Sequence, residues 1–392
     1  MKGRLLMVFQ YTQNCPIYFG PGAVDHLGEY VAEMDPNIKK AFCVYDRGVE
    51  AAGVPARAMA SLEKAGIACI GYNGVMADPT IGMVDEAGEI ALREQVDVIV
   101  GIGGGSSMDA AKAISILMTN PGPIKKYVLA KPITVDTKVP VVSVPTTAGT
   151  GAEATRVAII NQTEENGKWS VFVNTNLAVV DPELTFKLPK DVTAYTGLDA
   201  LAHAAESVTC NIANPHNQLF ACAAIRKITD NLYTAWSEPE NVEARTEMSL
   251  AADWAGIAFA ETMCHVGHAL ADGLSNEFHT PHGYNCAMAL PVALEYAAPA
   301  VPEAIKMVAE AMRIPLSGDE SAAEVGRLVA DAIWALMRRL ELKSLKDMGY
   351  SREAVLKIAR EGFISHLSSY CPVPVTEEAA LEMAGRMYDR YQ

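Results

Sequence analysis

Five short apolar runs in the first half of the chain constrain the fold more than any other feature. Ala41–Tyr45 (AFCVY), Ile67–Gly71 (IACIG), Val96–Gly101 (VDVIVG), Val139–Val144 (VPVVSV) and Leu177–Asp181 (LAVVD) are almost continuously hydrophobic. They lack the period-two alternation of a strand with one wet face, so each predicts a strand buried on both sides. Helical patterns separate them, as at Ile81–Arg93 and Ser106–Met118. Strand and helix in turn predict βαβ units and a parallel sheet. The polar, Asn-Gly-containing stretch Asn161–Lys168 predicts a hairpin or loop.

The pattern changes at Leu188-Pro189. Beyond it, Ala-, Leu- and Met-rich stretches at helical spacing dominate, such as Ser321–Leu340, with breaks expected at Pro291, Pro302, Pro315 and the pair Pro372/Pro374. The expected organisation is an α/β domain with a parallel sheet over residues 1–188 and an all-α domain over residues 189–392. A length of 392 residues accommodates both.

Composition excludes several partners. The formal net charge of −15 opposes adhesion to nucleic acid and to anionic membrane, both polyanions. No apolar stretch reaches the roughly 20 residues of a membrane span. The start, MKGRLLMVFQ, has too short an apolar region for a signal peptide. The 8 cysteines are scattered and form no CxxC, which predicts free thiols and a cytoplasmic location.

Three segments point to a bound dinucleotide. The run Val96–Gly101 leads into Gly103-Gly104-Gly105-Ser106, with a helix opening at about Ser107 that carries Asp109 and Lys112. Successive glycines let the backbone approach a pyrophosphate, and the helix N-terminus offers N–H groups and a positive dipole end. A tight βα turn would use the same glycines for their φ angles alone. The second segment, Pro145-Thr146-Thr147-Ala148-Gly149-Thr150-Gly151-Ala152-Glu153, follows another buried strand at the same expected sheet edge. Its plain alternative is a polar loop with Thr150 as an N-cap. Asp46 ends a strand, where a carboxylate can accept hydrogen bonds from a ribose and repel a 2′-phosphate; this favours NAD over NADP. An ordinary surface aspartate would look the same.

The helical half holds the metal candidates. Asp199 and His203 are one turn apart, on one helix face. His265, His268, His279 and His282 follow in two short segments. A carboxylate and three imidazoles suit Fe²⁺ or Zn²⁺. Each pair alone would more often be a helix-surface hydrogen bond; together they favour a metal site.

The ordered set Phe19-Gly-Pro-Gly-Ala23, Gly103-Gly-Gly-Ser106-x-x-Asp109-x-x-Lys112, Pro145–Glu153, Val180-Asp-Pro-Glu-Leu184, Thr196–His203 and Pro281-His282-Gly283 resembles the iron-containing (group III) alcohol dehydrogenase family, from about residue 15 to the end. The resemblance implies a dinucleotide-binding domain, a helical domain and a cleft between them. It implies NAD(H) held by Asp46, Gly103, Gly104, Gly105, Ser106, Asp109, Thr146, Thr147 and Thr150, with Lys168 as a further cofactor contact. It also implies a divalent metal, Fe²⁺ foremost and Zn²⁺ second, on Asp199, His203, His268 and His282; His265 falls off that register. Where many members have a second histidine near the nicotinamide, this chain has Asp272, carried over as the catalytic position, with His265 or His279 as candidates to compensate.

The implied activity is metal-dependent, NAD(H)-linked interconversion of a small primary alcohol and its aldehyde, in a homodimer or larger homo-oligomer. The alternative is a dehydroquinate-synthase-like NAD- and metal-dependent lyase, which the scarcity of Lys and Arg around the candidate ligands disfavours. A binding protein that has lost turnover is the non-enzymatic reading.

Overall fold

The computed structural model describes residues 8–120, 122–128, 137–162 and 167–392. Its strands are β1 (Ile17–Phe19), β2 (Lys40–Asp46), β3 (Ala68–Val75), β4 (Val98–Gly103), β5 (Val141–Pro145), β6 (Val157–Gln162), β7 (Gly167–Phe172) and β8 (Leu177–Val180). Six of them form a sheet in the order β1-β8-β5-β4-β2-β3, and every pairing is parallel. β6 and β7 form an antiparallel hairpin, with Asn161 opposite Lys168, as the polar stretch between them predicts.

All five apolar runs are strands. β4, β5 and β8 are buried along their whole length. β3 departs from expectation: it is the sheet's edge strand, half-exposed, and runs on through Tyr72–Val75. β1 has only three residues, too few for a readable pattern, and is held by β8.

Alternate residues of the central strands feed two cores. Phe42, Val44, Ile99 and Val141 face one side, against the helices Ile81–Glu94 and Gly105–Leu117. Ala41, Cys43, Val98, Val100, Val142 and Val179 face the other, with Leu27, Val31 and Leu62. Each fully buried Val, Leu or Ile stabilises by about 1.5–3 kcal/mol relative to exposure, so the register of every central strand is pinned on both faces.

From residue 181 onward there is no strand. The helices Lys190–Thr209, Pro215–Ser237, Val242–Phe259, Val266–Phe278 and His282–Ala297 share a third core with Ala322–Arg339, whose start is fixed by a Ser321/Glu324 capping box. Pro291 does not break its helix as expected; it lies buried inside His282–Ala297. The lost hydrogen bond and ring clash cost about 3 kcal/mol, and burial of almost the entire helix outweighs them. Ala148, from the threonine-rich loop after β5, packs into this helical core, so that loop joins the two halves.

Candidate metal centre and cofactor cleft

On the helix Lys190–Thr209, spacings of four and three place Asp199, His203 and Glu206 on one buried stripe. The helix His282–Ala297 starts against it. A side chain at Gly283 would have its Cβ 2.3 Å from Tyr195 O, so glycine there lets His282 come alongside Asp199. The helix Val266–Phe278 brings His268 to the same point. Asp199 Oδ1 ends 3.9 Å from His203 Nδ1, 4.0 Å from His268 Nε2 and 3.8 Å from His282 Nε2.

Asp199 Oδ1, His203 Nδ1 and His268 Nε2 are buried without a hydrogen-bond partner. One such orphan costs about 1–3 kcal/mol; two of them, on Asp199 and His268, gather with His282 and Cys286 within 4.8 Å, whereas His203 groups with Cys264 and His268 on the other flank. Ligands bound at about 2.1 Å in tetrahedral geometry stand roughly 3.4 Å apart, and wider in more open geometries. The donor set therefore fits a divalent ion. His282 is 34% exposed at its side chain whereas Asp199 is 3%, which leaves the cage open on one side only.

Behind the cage, Glu206 accepts from His268 Nδ1, from Gly267 N at 2.7 Å and from His268 N at 3.2 Å. His265 Nδ1 lies 3.0 Å from Oε1, the oxygen that takes Gly267 N, while both His268 bonds fall on Oε2. Burial pushes the Glu206 carboxyl up, but His265, His268 and these hydrogen bonds outweigh it and hold it at about 2. A carboxylate on Nδ1 fixes His268 with Nε2 toward the cage. Burial takes His203 down to about 4, and burial with the Lys168 charge lowers His282. Both imidazoles are thus neutral at pH 7, with a lone pair to donate.

The nucleotide segments meet at one sheet edge. Gly103 is paired with Pro145 where β4 and β5 end, and Thr146 N donates to Gly103 O at 2.9 Å. Gly104 abuts Thr147 and Gly105 abuts Thr150. Thr147 Oγ1 and Ser107 Oγ are buried without partners, the mark of a polar guest. Gly104, Gly105 and Ser106 are partly exposed at the helix start. Asp46 stands beside them at the end of β2, but its Oδ1 caps the following turn, accepting from Gly48 N at 2.7 Å and Val49 N at 2.9 Å. Thr150 Oγ1 accepts from Ala152 N at 3.3 Å across a local turn, but the N-cap of the following turn is Gly151 and not Thr150. Asp109 Oδ2 accepts from Ile159 N at 3.0 Å while Oδ1 has no partner, and burial raises it to about 6. Lys112 is structural: its buried Nζ donates to Ala152 O, Thr155 O and Val157 O, tying the threonine loop to the helix Gly105–Leu117.

Lys168 stands apart from the nucleotide loops. From β7 its Nζ reaches 3.1 Å from Asp272 Oδ1, on the helix Val266–Phe278, and 3.8 Å from Asp78 Oδ1. The Lys168–Asp272 pair crosses between the halves beside His282. Neither proposed substitute for the missing histidine takes that place. His265 is fully buried behind Glu206 and bonded to Thr209 Oγ1 at 2.9 Å, and His279 is exposed past the helix end.

Two family models cover nearly the whole chain: "Iron-containing alcohol dehydrogenase" over residues 15–182 and "Fe-containing alcohol dehydrogenase family, C-terminal" over residues 193–388. The chain belongs to the iron-containing alcohol dehydrogenase family. It is 33% identical to a choline dehydrogenase of Bacillus subtilis over 88% of this chain and 86% of that one. Among solved structures, a 1,3-propanediol oxidoreductase matches with TM-score 0.90 at 30% identity, covering 97% of this chain and 100% of that chain. A sulfoacetaldehyde reductase from Bifidobacterium kashiwanohense in complex with NAD⁺ matches with TM-score 0.88 at 26% identity, over 98% of this chain and 99% of that one. This dehydrogenase is a metal-dependent, NAD-linked oxidoreductase of alcohols and aldehydes, and the lyase alternative is not favoured.

Sequence reasoning about the dehydrogenase missed Glu206, Ser107 and the thiols beside the cage. The signal for Glu206 was present: positions 199, 203 and 206 extend the Asp/His stripe by one more turn. Ser107 was overlooked because the neighbouring Ser106 completes the glycine motif.

Proposed function

We propose that Asp199, His203, His268 and His282 hold the divalent ion, and that the glycine and threonine loops with Asp46 and Asp109 hold NAD(H) across the cleft. The supporting observation is the single oxygen, Asp199 Oδ1, standing 3.8–4.0 Å from three imidazole nitrogens. When bound, the ion supplies Lewis-acid polarisation of the substrate oxygen, and the nicotinamide supplies or accepts hydride. The chain's own residues orient and desolvate: the exposed edge of His282 marks the substrate side, and Glu206 keeps His268 in register. Asp272, held by Lys168, is the carboxylate placed to accept the alcohol proton beside His282.

The charge pattern selects among substrate classes. Among the described residues, Lys168 is the cation seen at His282, and Asp272 and Asp78 already neutralise it. A sulfonate or carboxylate would need a spare cation. The preferred substrate is therefore a small neutral primary alcohol or aldehyde. We further propose the division at Leu188/Pro189, a cytoplasmic location and a homo-oligomer.

The test is NADH oxidation by metal-loaded protein with neutral, cationic and anionic short aldehydes, beside Asp199→Ala. Turnover is expected with the neutral aldehyde in the parent, and Asp199→Ala is expected to lose bound metal and turnover while still binding NADH. Full metal content and activity in Asp199→Ala would refute the ligand set.

A further inference from the structure

Two of the eight thiols lie at the metal cage with no role so far. Cys286 follows His282 by one turn of the same helix, is 1% exposed, and holds its Sγ 3.5 Å from His282 Nε2. Its sulfur, an Asp199 carboxylate oxygen and ring nitrogens of His268 and His282 all lie within 4.8 Å of one another. Cys264, just before the helix Val266–Phe278, occupies the other flank, within 4.8 Å of ring nitrogens of His203 and His268.

We propose that Cys286 is a further donor to the divalent ion, bound through its thiolate, and that it biases the site toward zinc or cobalt over iron. This rests on the assignment of Asp199, His268 and His282 as ligands. With more than four donors, a nitrogen at about 2.1 Å and a sulfur at about 2.3 Å from one ion stand roughly 3.1 Å apart at a right angle and roughly 3.8 Å apart at about 120°, and the 3.5 Å found lies between. A thiol-to-imidazole hydrogen bond alone explains less. The thiol has one proton to share among His282, Asp199 and His268, all of which face its sulfur, so at least two of these groups would go without it. A cation at the common point satisfies all four atoms. As the metal–sulfur bond forms, sulfur supplies both electrons, the thiol proton leaves to solvent, and no oxidation state changes. A soft thiolate among hard and borderline donors shifts preference toward zinc-like ions.

The decisive experiment is cobalt substitution of the full-length protein, stripped of metal and reloaded with Co²⁺. The expected spectrum has the visible d–d bands of bound cobalt together with a near-ultraviolet thiolate-to-cobalt charge-transfer band. Cys286→Ser is expected to keep the first and lose the second, while Cys264→Ser keeps both. If Cys286→Ser fails to fold, X-ray absorption on the zinc-loaded parent reads the same question, a sulfur scatterer at about 2.3 Å being expected. Visible bands without a charge-transfer band in the parent would overturn the role of Cys286 and leave the ligand set standing. A band that survives Cys286→Ser and disappears in Cys264→Ser would also overturn it. Unaltered cobalt binding in Asp199→Ala would instead remove the ligand set beneath it.

Discussion

Glu206 stands fully buried behind the cage, and the geometry of His268 depends on it. Replacing it by Gln leaves shape almost unchanged and turns a charge-assisted hydrogen bond into a neutral one. Glu206→Gln is expected to weaken metal binding by about 10–100-fold, measured by chelator competition, with NADH affinity unchanged; equal metal affinity would show that the carboxylate's charge is irrelevant. Glu153, in the turn after the threonine loop, is a different case. It is buried, and burial raises its carboxyl from 4.5 to about 7 despite opposing backbone and Lys112 contributions. Between those values the folded state binds a proton that the unfolded state has released, so stability falls as pH rises through the window and stays reduced above it. Glu153→Gln has no such proton to lose. Its Tm is expected to decline less from pH 5 to pH 8, with a gain on the order of 2 kcal/mol at the upper end; an equally steep decline would refute the role. Residue identities at the cage were legible because Asp199 and His203 share a helix face and the other histidines cluster. Glu206 lies on the same stripe, but its role was not legible, because an acid one turn further along a helix reads like any surface glutamate until its imidazole partner, 62 residues away, is in place.

Elements were legible where one physical cause dominates. β4, β5, β8 and the middle of β2 are buried on both faces and are therefore almost continuously apolar, whereas β1 exists only because β8 offers it an edge. Pro291 shows the limit of local rules, since packing of the whole helix His282–Ala297 overrides a strong local signal. The joint between loop and helix was equally invisible, because it depends on two glycines meeting across the halves. A Cβ added at Gly256, inside the helix Val242–Phe259, would lie 2.5 Å from Gly151 O and 2.8 Å from Gly151 Cα. Alanine in a helix interior gains up to about 1 kcal/mol over glycine. Here the clashing atoms are backbone that no rotamer change can relieve, and overpacking costs about 1–3 kcal/mol. The clash wins. Gly256→Ala is expected to lower Tm by a few degrees and to weaken NADH binding by displacing Thr146, Thr147 and Thr150, with metal content intact. Unchanged NADH affinity in a fluorescence titration would show that the loop does not need this contact.

At the scale of the molecule, the two halves meet electrostatically beside the metal cage. Lys168 comes from the hairpin of the sheet half and Asp272 from the helical half, and their side chains are only 13% and 24% exposed. At such burial the pair is screened less than a surface bridge, so its net charge governs what can approach His282. Burial would lower the Lys168 ammonium, but Asp272 and Asp78 outweigh it and raise it, so the cation persists at neutral pH. Asp272→Asn therefore leaves Lys168 with one acidic neighbour, Asp78 at 3.8 Å. The freed charge can then face the substrate. In that variant kcat/KM for an aldehyde carrying a sulfonate or carboxylate is expected to rise relative to a neutral aldehyde by about tenfold, equivalent to roughly 1.4 kcal/mol. The gain is expected to shrink as salt is added. A second substitution separates charge from shape: Lys168→Met in the Asp272→Asn background removes the cation and is expected to abolish the new preference. The measurement is the ratio of kcat/KM for the two aldehydes in all three proteins at low and high ionic strength. A ratio that never moves would mean that substrate charge is not sensed at this pair, and that the choice of alcohol is made elsewhere in the cleft.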